Sequence, residues 1–357
     1  MSQFIPSFII AYSNSDFTNP HEAILPIEPK DCTANFTHMG VQYWGLETKR
    51  HTATSIESKD KRIFYEHDAY QWVKIGFKER AKISSLQVST KWFTGNQVRA
   101  ISVILIDELN GTEQEVLTRQ ALSPDQDHHF EFDETTATES FIKMYYEGGI
   151  SKINFFGEKV AKQLPVRSNI LSKAKITNVS NEHYGHPKMA VEGCRKEMHM
   201  VGWESARTGF GEQAIFHLEA PQTIKEIVVD TYLHRLNPPL TCHIFGLLAN
   251  DNQSFEEALG LLPKWSLRFE DETMICPPDF QQYMLDQDYL NEEVVNPRRF
   301  EIFLSQEPGS PWKAILPFES LMPDTYHRFT NFENEGLFSH LLYLHYPNGG
   351  IHGLKVF

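Results

Sequence analysis

Gly45-Leu46-Glu47-Thr48-Lys49-Arg50 and Gly202-Trp203-Glu204-Ser205-Ala206-Arg207 are two versions of one block, and each is followed by the same further blocks in the same order. Strand-like segments ending in threonine come next, Ile83 to Thr90 (ISSLQVST) and Ile224 to Thr231 (IKEIVVDT). Each half then closes on an aromatic, polar, Gly-Gly-Ile turn: Tyr146-Glu147-Gly148-Gly149-Ile150 and Tyr346-Pro347-Asn348-Gly349-Gly350-Ile351. Ordered recurrence of this kind means that one supersecondary unit occurs twice. Paired glycines predict a tight hairpin with positive φ, after which Ile153, Phe155 and Val356 belong to closing strands.

Around these blocks the strand signals dominate. Leu86 to Trp92, Ile101 to Ile106, Phe141 to Tyr145, Ile153 to Phe156, Ile227 to Tyr232 and Leu341 to Tyr346 are short, β-branched or aromatic, and bounded by turn formers. Helical periodicity is confined to Phe255 to Leu262 and Phe280 to Leu285. The fold class this predicts is all-β, two tandem sandwiches. Pro165 interrupts a polar stretch at Lys162 to Ser168, so the domains are expected at 1–164 and 165–357, the second carrying an insertion near 250–310 that suits a lid or an interface. Trp72, Trp92 and Trp203 are expected in the cores.

A chain of 357 residues is long enough for two real cores. Its formal net charge of −14 and the lack of a sustained basic patch argue against nucleic acid; Lys59, Lys61, Arg62 and Pro297-Arg298-Arg299 read as solvated loops. The start, MSQFIPSFII, has no basic leader and is broken by Pro6, and no uncharged run approaches the ~18 residues that cross a bilayer, so a cytoplasmic protein without a membrane partner is expected. Cys32, Cys194, Cys242 and Cys276 lack both disulfide density and zinc spacing and read as reduced thiols.

Phosphate loops, nucleophile elbows and His-Glu-x-x-His helices are absent, and Asp125-Gln126-Asp127-His128-His129 reads better as a hairpin tip than as a metal site. The repeated blocks carry the specific signal. A Gly-Trp-Glu-Thr-Arg-Arg element near the start of each of two modules resembles the allantoicase family. His67-Asp68-Ala69-Tyr70-Gln71-Trp72 resembles that family's His-Asp-Trp element, and Ser89-Thr90-Lys91-Trp92-Phe93-Thr94-Gly95-Asn96 resembles its Asp-Thr-x-x-Phe-x-Gly-Asn element. Asp230-Thr231, the Gly-Gly turns, Trp312, Leu316, Pro323, Asp324 and His327 extend the likeness over nearly the whole chain.

The resemblance implies two jelly-roll, galactose-binding-like β-sandwiches and a hydrolase of C–N bonds in linear amidines, splitting allantoate and water into ureidoglycolate and urea. Such a site needs a cation for the substrate carboxylate, polar groups for its ureido oxygens, and an acid or base near the departing nitrogen. Glu47 and Glu204 are the candidate acid/base carboxylates, and His67 beside Asp68 is the candidate for proton transfer near neutral pH. Lys49, Arg50 and Arg207 supply candidate cations, with Asn96 and Asp230 as further substrate contacts. An intradomain salt bridge is the plain alternative for Glu47 and Arg50.

The copies depart from the family pattern unequally. Leu46 and Lys49 replace a tryptophan and an arginine in the first; in the second, Ser205-Ala206 replaces Thr and a basic residue, Gly209 to Phe216 lacks His and Asp, and Leu236-Asn237-Pro238 stands where Gly-Asn is expected. The second copy therefore reads as the depleted site. A catalytically retired pair of sandwiches binding a small ligand, glycan or protein, or a hydrolase of a related ureido compound, are the alternatives. The sequence names no cofactor and leaves a divalent metal open; the expected partner is a small molecule, and sheet edges leave a homo-oligomer open.

Overall fold

The apolar residues of the 20-residue strand Tyr70–Ser89 show how the first repeat folds. Val73, Ile75 and Phe77 alternate inward, Ala81 and Ile83 continue the alternation, and then Leu86 and Val88 take it up with the phase slipped by one. A strand that changes phase must bend to keep its apolar side on one core. Its first part pairs with Ser7–Tyr12 and its last part with Lys152–Lys159, so the same strand serves both walls. Asp127–Tyr145 runs antiparallel beside it for its whole length and shifts register near Glu131 to Thr135 and near Ala137 to Glu139. Ala100–Asp107 and Thr112–Ala121 complete the sheet. These bends explain why the sequence shows only the ends, Leu86 to Trp92 and Phe141 to Tyr145, as strands.

The computed structural model describes residues 2–15, 17–37, 40–160, 167–193, 195, 202–207, 210–269, 273–275, 280–286 and 300–357. The chain divides into two compact units, Met1–Val166 and Arg167–Phe357. Cys194, Cys276, Pro165, Gly209 and Pro297 to Arg299 lie outside the described residues, while Cys32 and Cys242 are free thiols. No helix among the described residues is long and apolar enough to cross a membrane.

In the second unit the two walls are separate sheets. Lys175–Thr177, Glu212–Gln222, Phe338–Tyr346, Thr241–Leu247 and Lys313–Ser320 form one, and Tyr326–Phe329, Ile227–Asp230 and Gly353–Val356 the other. Trp203, Phe216, Val229, Ile244, Tyr343 and Leu354 fill the space between. Each unit is thus an antiparallel jelly-roll sandwich, the galactose-binding-like fold class expected.

The insertion adds the helices Asn252–Leu259 and Phe280–Asp286 and a small sheet of Thr273–Ile275, Lys264–Arg268 and Glu301–Ser305. Asp251 caps the first helix by accepting from the Ser254 amide at 2.7 Å, which places Phe255 and Ala258 inward. Those residues, with Leu262 and Trp312, cover Ile215, Phe245, Leu247, Leu342 and Leu344 on the outer face of the five-stranded sheet. The helix Asn252–Leu259 and Leu262 are therefore part of a second core layer.

Trp203 is fully buried, whereas Trp72 is half-buried against Phe141 and Trp92 is 41% exposed. The strand has ended before Trp92, which stands at φ +71° in the turn with its indole N–H donated to the Pro29 carbonyl at 3.1 Å. The expectation of a core tryptophan fails there because position 92 belongs to a loop.

Burial holds six of the described histidines of the second unit below their usual range: His217, His234, His243, His327, His340 at about 4 and His345 at about 3. Each is kept neutral in the fold and is free to protonate when unfolded, so its stabilisation is intact above about pH 6.5 and is lost as the pH falls from there toward the folded values. The melting temperature of the second unit should drop between pH 7 and 5, with His345 alone costing about 2 kcal/mol at pH 5. His345 faces Glu212 as Met144 faces Gln71, and His345→Met should flatten the slope in a thermal melt series; an unchanged slope would show that the acid sensitivity lies elsewhere.

Candidate active site

The first block of each repeat is clasped to its closing turn. Leu46–Glu47 pairs with Gly149 and Ile150, and Trp203–Glu204 pairs with Gly350 and Ile351. The Thr48 amide donates to the Gly148 carbonyl at 3.0 Å while the Gly148 amide donates to Thr48 Oγ1 at 2.9 Å. Ser205 and Gly349 repeat this exchange at 3.1 and 3.2 Å.

The glycine pairs serve close approach more than turn geometry. Of the four, Gly148 alone has a positive φ, at +134°. A Cβ on Gly149 would lie 2.0 Å from the Phe93 ring, and one on Gly350 would lie 2.1 Å from the His234 ring. A simple hairpin with two positive-φ glycines is therefore not what forms.

In the first repeat the clasp brings Glu47, Arg50 and Asn96 together. The Asn96 side-chain amide donates to Glu47 Oε1 at 3.1 Å, the Arg50 guanidinium pairs with that same oxygen, and the guanidinium also reaches the Asn96 carbonyl at 3.4 Å. Glu47 is 4% exposed, and burial pushes its carboxyl up while Arg50 and Asn96 pull it back. Lys49 is exposed, with its backbone amide tied to Asn14 Oδ1 at 2.6 Å, so Arg50 is the cation on the carboxylate.

His67 and Asp68 stand apart from that group in the hydrogen-bond pattern. Their side chains are 71% and 86% exposed; Asp68 accepts from Arg119 at 3.1 Å, and Tyr146 Oη lies 3.2 Å from His67 Nε2. The His67 ring and Arg119 hold Asp68 below the usual carboxylate range. The link between the two groups is the turn itself: Tyr146 touches His67, Glu147 accepts the amides of His51 and Thr52 at 2.7 and 2.9 Å, and Gly148 holds Thr48.

In the second repeat the Asn237 side-chain amide donates to Glu204 Oε1 at 2.7 Å, and the Asn237 carbonyl accepts the Gly350 amide at 3.0 Å, as the Asn96 carbonyl accepts the Gly149 amide at 2.9 Å. The loss of Gly-Asn inferred from Leu236-Asn237-Pro238 is thus corrected: the asparagine is kept and only the glycine is gone. Arg207 is exposed at the place corresponding to Arg50. Asp230 is buried and held by Arg195, whose Nε and a terminal nitrogen donate to its two oxygens at 2.9 and 2.7 Å.

The two frames correspond bond for bond. The Phe93 and His234 amides donate to the Thr90 and Thr231 carbonyls at 3.0 and 2.9 Å, and the Ser151 and His352 amides donate to Ser89 and Asp230 at 2.8 and 2.7 Å. Trp92 and Leu233, both at positive φ, donate to the aspartates Asp125 and Asp324 at 2.8 and 3.0 Å. Within this shared frame Gln71, Ser89, Phe93, Met144 and Ser151 of the first repeat become Glu212, Asp230, His234, His345 and His352 of the second, and all five of the latter are at most 3% exposed. Sequence reading found Asp230 but missed the other four and Arg195. Among the described residues, no set of three or more His, Cys, Asp or Glu side chains is grouped as a metal site.

Arg50 is 29% exposed at its side chain and Glu47 5%, so breaking this pair costs less than the ~3–5 kcal/mol of a fully buried one. Arg50→Ala should lower first-unit stability by roughly 2–3 kcal/mol in denaturant unfolding. The loss should be greatest at neutral pH and shrink in acid, because an unpaired buried Glu47 destabilises only while ionised. A loss independent of pH would mean that Arg50 acts through packing.

The model of the allantoicase repeat matches residues 1–160 and 168–357. Allantoicase of Saccharomyces cerevisiae is 26% identical over 69% of this chain and 75% of its own length. The probable allantoicase of Acinetobacter baumannii is 27% identical over 61% and 67%. The crystal structure of the Saccharomyces cerevisiae allantoicase aligns over 99% of this chain and 92% of that one at 19% identity, with a TM-score of 0.35. Two matches to one repeat, covering both compact units, show that the chain belongs to the allantoicase family.

Proposed function

We propose that this protein hydrolyses allantoate to ureidoglycolate and urea, with a Glu–Asn pair at the closing turn of a repeat as the reacting group. The observation that supports the reading is the duplicated pair itself, Glu47 with Asn96 and Glu204 with Asn237, in a chain whose halves both match the allantoicase repeat.

Allantoate carries a carboxylate and two ureido groups on one carbon. Hydrolysis breaks one C–N bond there, forms a C–O bond from water, and moves a water proton to the departing urea nitrogen. Glutamate is suited to carry that proton, and the asparagine amide holds its carboxylate in one orientation. Arg207, exposed three residues beyond Glu204, is suited to the substrate carboxylate. In the first repeat Arg50 is paired with Glu47 itself, whereas Glu204 is half-buried and bonded to Asn237, so the second repeat offers the more accessible carboxylate. Asp230, paired with Arg195, supports the site rather than meeting an anionic substrate.

Urea and ureidoglycolate should appear when purified protein is given allantoate, measured with and without Mn²⁺. Glu204→Gln should lower kcat by about 100-fold or more, the usual weight of a general base, and Glu47→Gln should lower it far less. No product from folded wild type under either condition would defeat the reading in favour of a β-sandwich pair that binds a ligand without turning it over.

A further inference from the structure

We propose that His234 is a positioning residue of the second repeat, an imidazole set beneath the Gly350 turn that positions the Glu204–Asn237 pair. The proposal rests on the reading of the chain as an allantoate hydrolase working at Glu204 and adds to it which neighbour serves the glutamate.

The argument comes from the difference between two nearly identical frames. Phe93 and His234 hold the same place: each amide bonds the preceding threonine's carbonyl, and each ring fills the space a Cβ on the second glycine of the turn would need. Phe93 is the residue that packing alone selects, since it is wholly buried and offers no polar atom. His234 is 1% exposed, and neither of its ring nitrogens makes a well-formed hydrogen bond. A buried polar ring left in that condition is destabilising, and a phenylalanine fills the corresponding place in the first repeat. The cost is retained in the repeat where Glu204 forms no ion pair among the described residues, and it is absent where Glu47 is locked by Arg50.

The surroundings of His234 support the role. Its ring lies against Gly350, whose amide donates to the Asn237 carbonyl at 3.0 Å, and the Asn237 side chain donates to Glu204 at 2.7 Å; His345 packs on Trp203 at 5.0 Å. Asp230 is neutralised by Arg195, whose guanidinium also stands 4.9 Å from the Tyr232 ring, and that ring packs on His352 at 5.0 Å. Glu212 completes the group from the neighbouring strand, bonded to Ser180 Oγ. Glu204 is half-buried at the edge of this group, where water and a substrate can reach it. The ring lies against Gly350, the strand partner of Glu204, so it backs the turn on which that carboxylate is carried.

His234→Phe tests this directly, because it installs the first repeat's own residue in a frame that accepts it. The variant should fold with an equal or higher melting temperature, lose about 10- to 100-fold in kcat with KM within about twofold, and displace the acid limb of the kcat/KM pH profile. Wild-type kcat and an unmoved pH profile in the stable variant would overturn the proposal and make His234 a passive core histidine. Histidine ring NMR, with the His234 signal assigned by its loss in His234→Phe, gives a readout free of turnover. Glu204→Gln should move the His234 resonance and its titration, and Glu47→Gln should leave both in place. If wild type releases no urea, the reaction reading fails, while coupling of Glu204 to His234 sustains the placement and its absence removes it.

Discussion

Everything near the candidate site depends on one exchange of hydrogen bonds, in which a hydroxyl residue of the first block and a glycine of the closing turn each donate to the other: Thr48 with Gly148, and Ser205 with Gly349. The partners are 100 and 144 residues apart in sequence, so the contact closes nearly a whole repeat upon itself. Both ends are buried, and an unmade bond there would strand a donor and an acceptor away from water. Once it is made, the glutamate beside the hydroxyl residue and the asparagine whose carbonyl holds the next glycine can meet only side by side.

A duplicated frame lets the chain separate stability from reactivity. The first repeat fills the space under its turn with Phe93, Met144 and two serines and ties its glutamate down with an arginine. Lys152, next to Ser151, is neutralised by Glu28 at 2.7 Å. The second repeat places an aspartate, three histidines and another glutamate in the same locations and holds the aspartate with Arg195. Buried groups of this kind destabilise unless they are mutually satisfied, and chains keep them mostly where chemistry requires them.

The order of the blocks made the two repeats, the fold class and the Glu47, Arg50 and Asn96 grouping legible from sequence, because each depends on short spacings that survive divergence. The longest strands were hidden for a physical reason: Tyr70–Ser89 and Asp127–Tyr145 bend and bulge, and a bend resets the two-residue alternation that announces a strand. Trp92 looked like core because it continues an apolar run, yet the backbone turns left-handed at that residue. Asn237 was obscured by Leu236 in place of a glycine. Arg195 and His352 were beyond reach, since they join the group through contacts across sheets and loops, and no spacing along the chain marks them.

The helix Asn252–Leu259 and Trp312 cover one outer face of the five-stranded sheet, so that Phe338–Tyr346 is buried on both sides. That cover sets the limits of the smallest autonomous piece of the second repeat. A chain trimmed to the bare sandwich by deleting the extra segment would present Ile215, Phe245, Leu247, Leu342 and Leu344 as one continuous apolar surface, an invitation to self-association. What looks in the sequence like an ornament on a shared module has become inseparable from it, and the two halves of the chain no longer have the same minimal length.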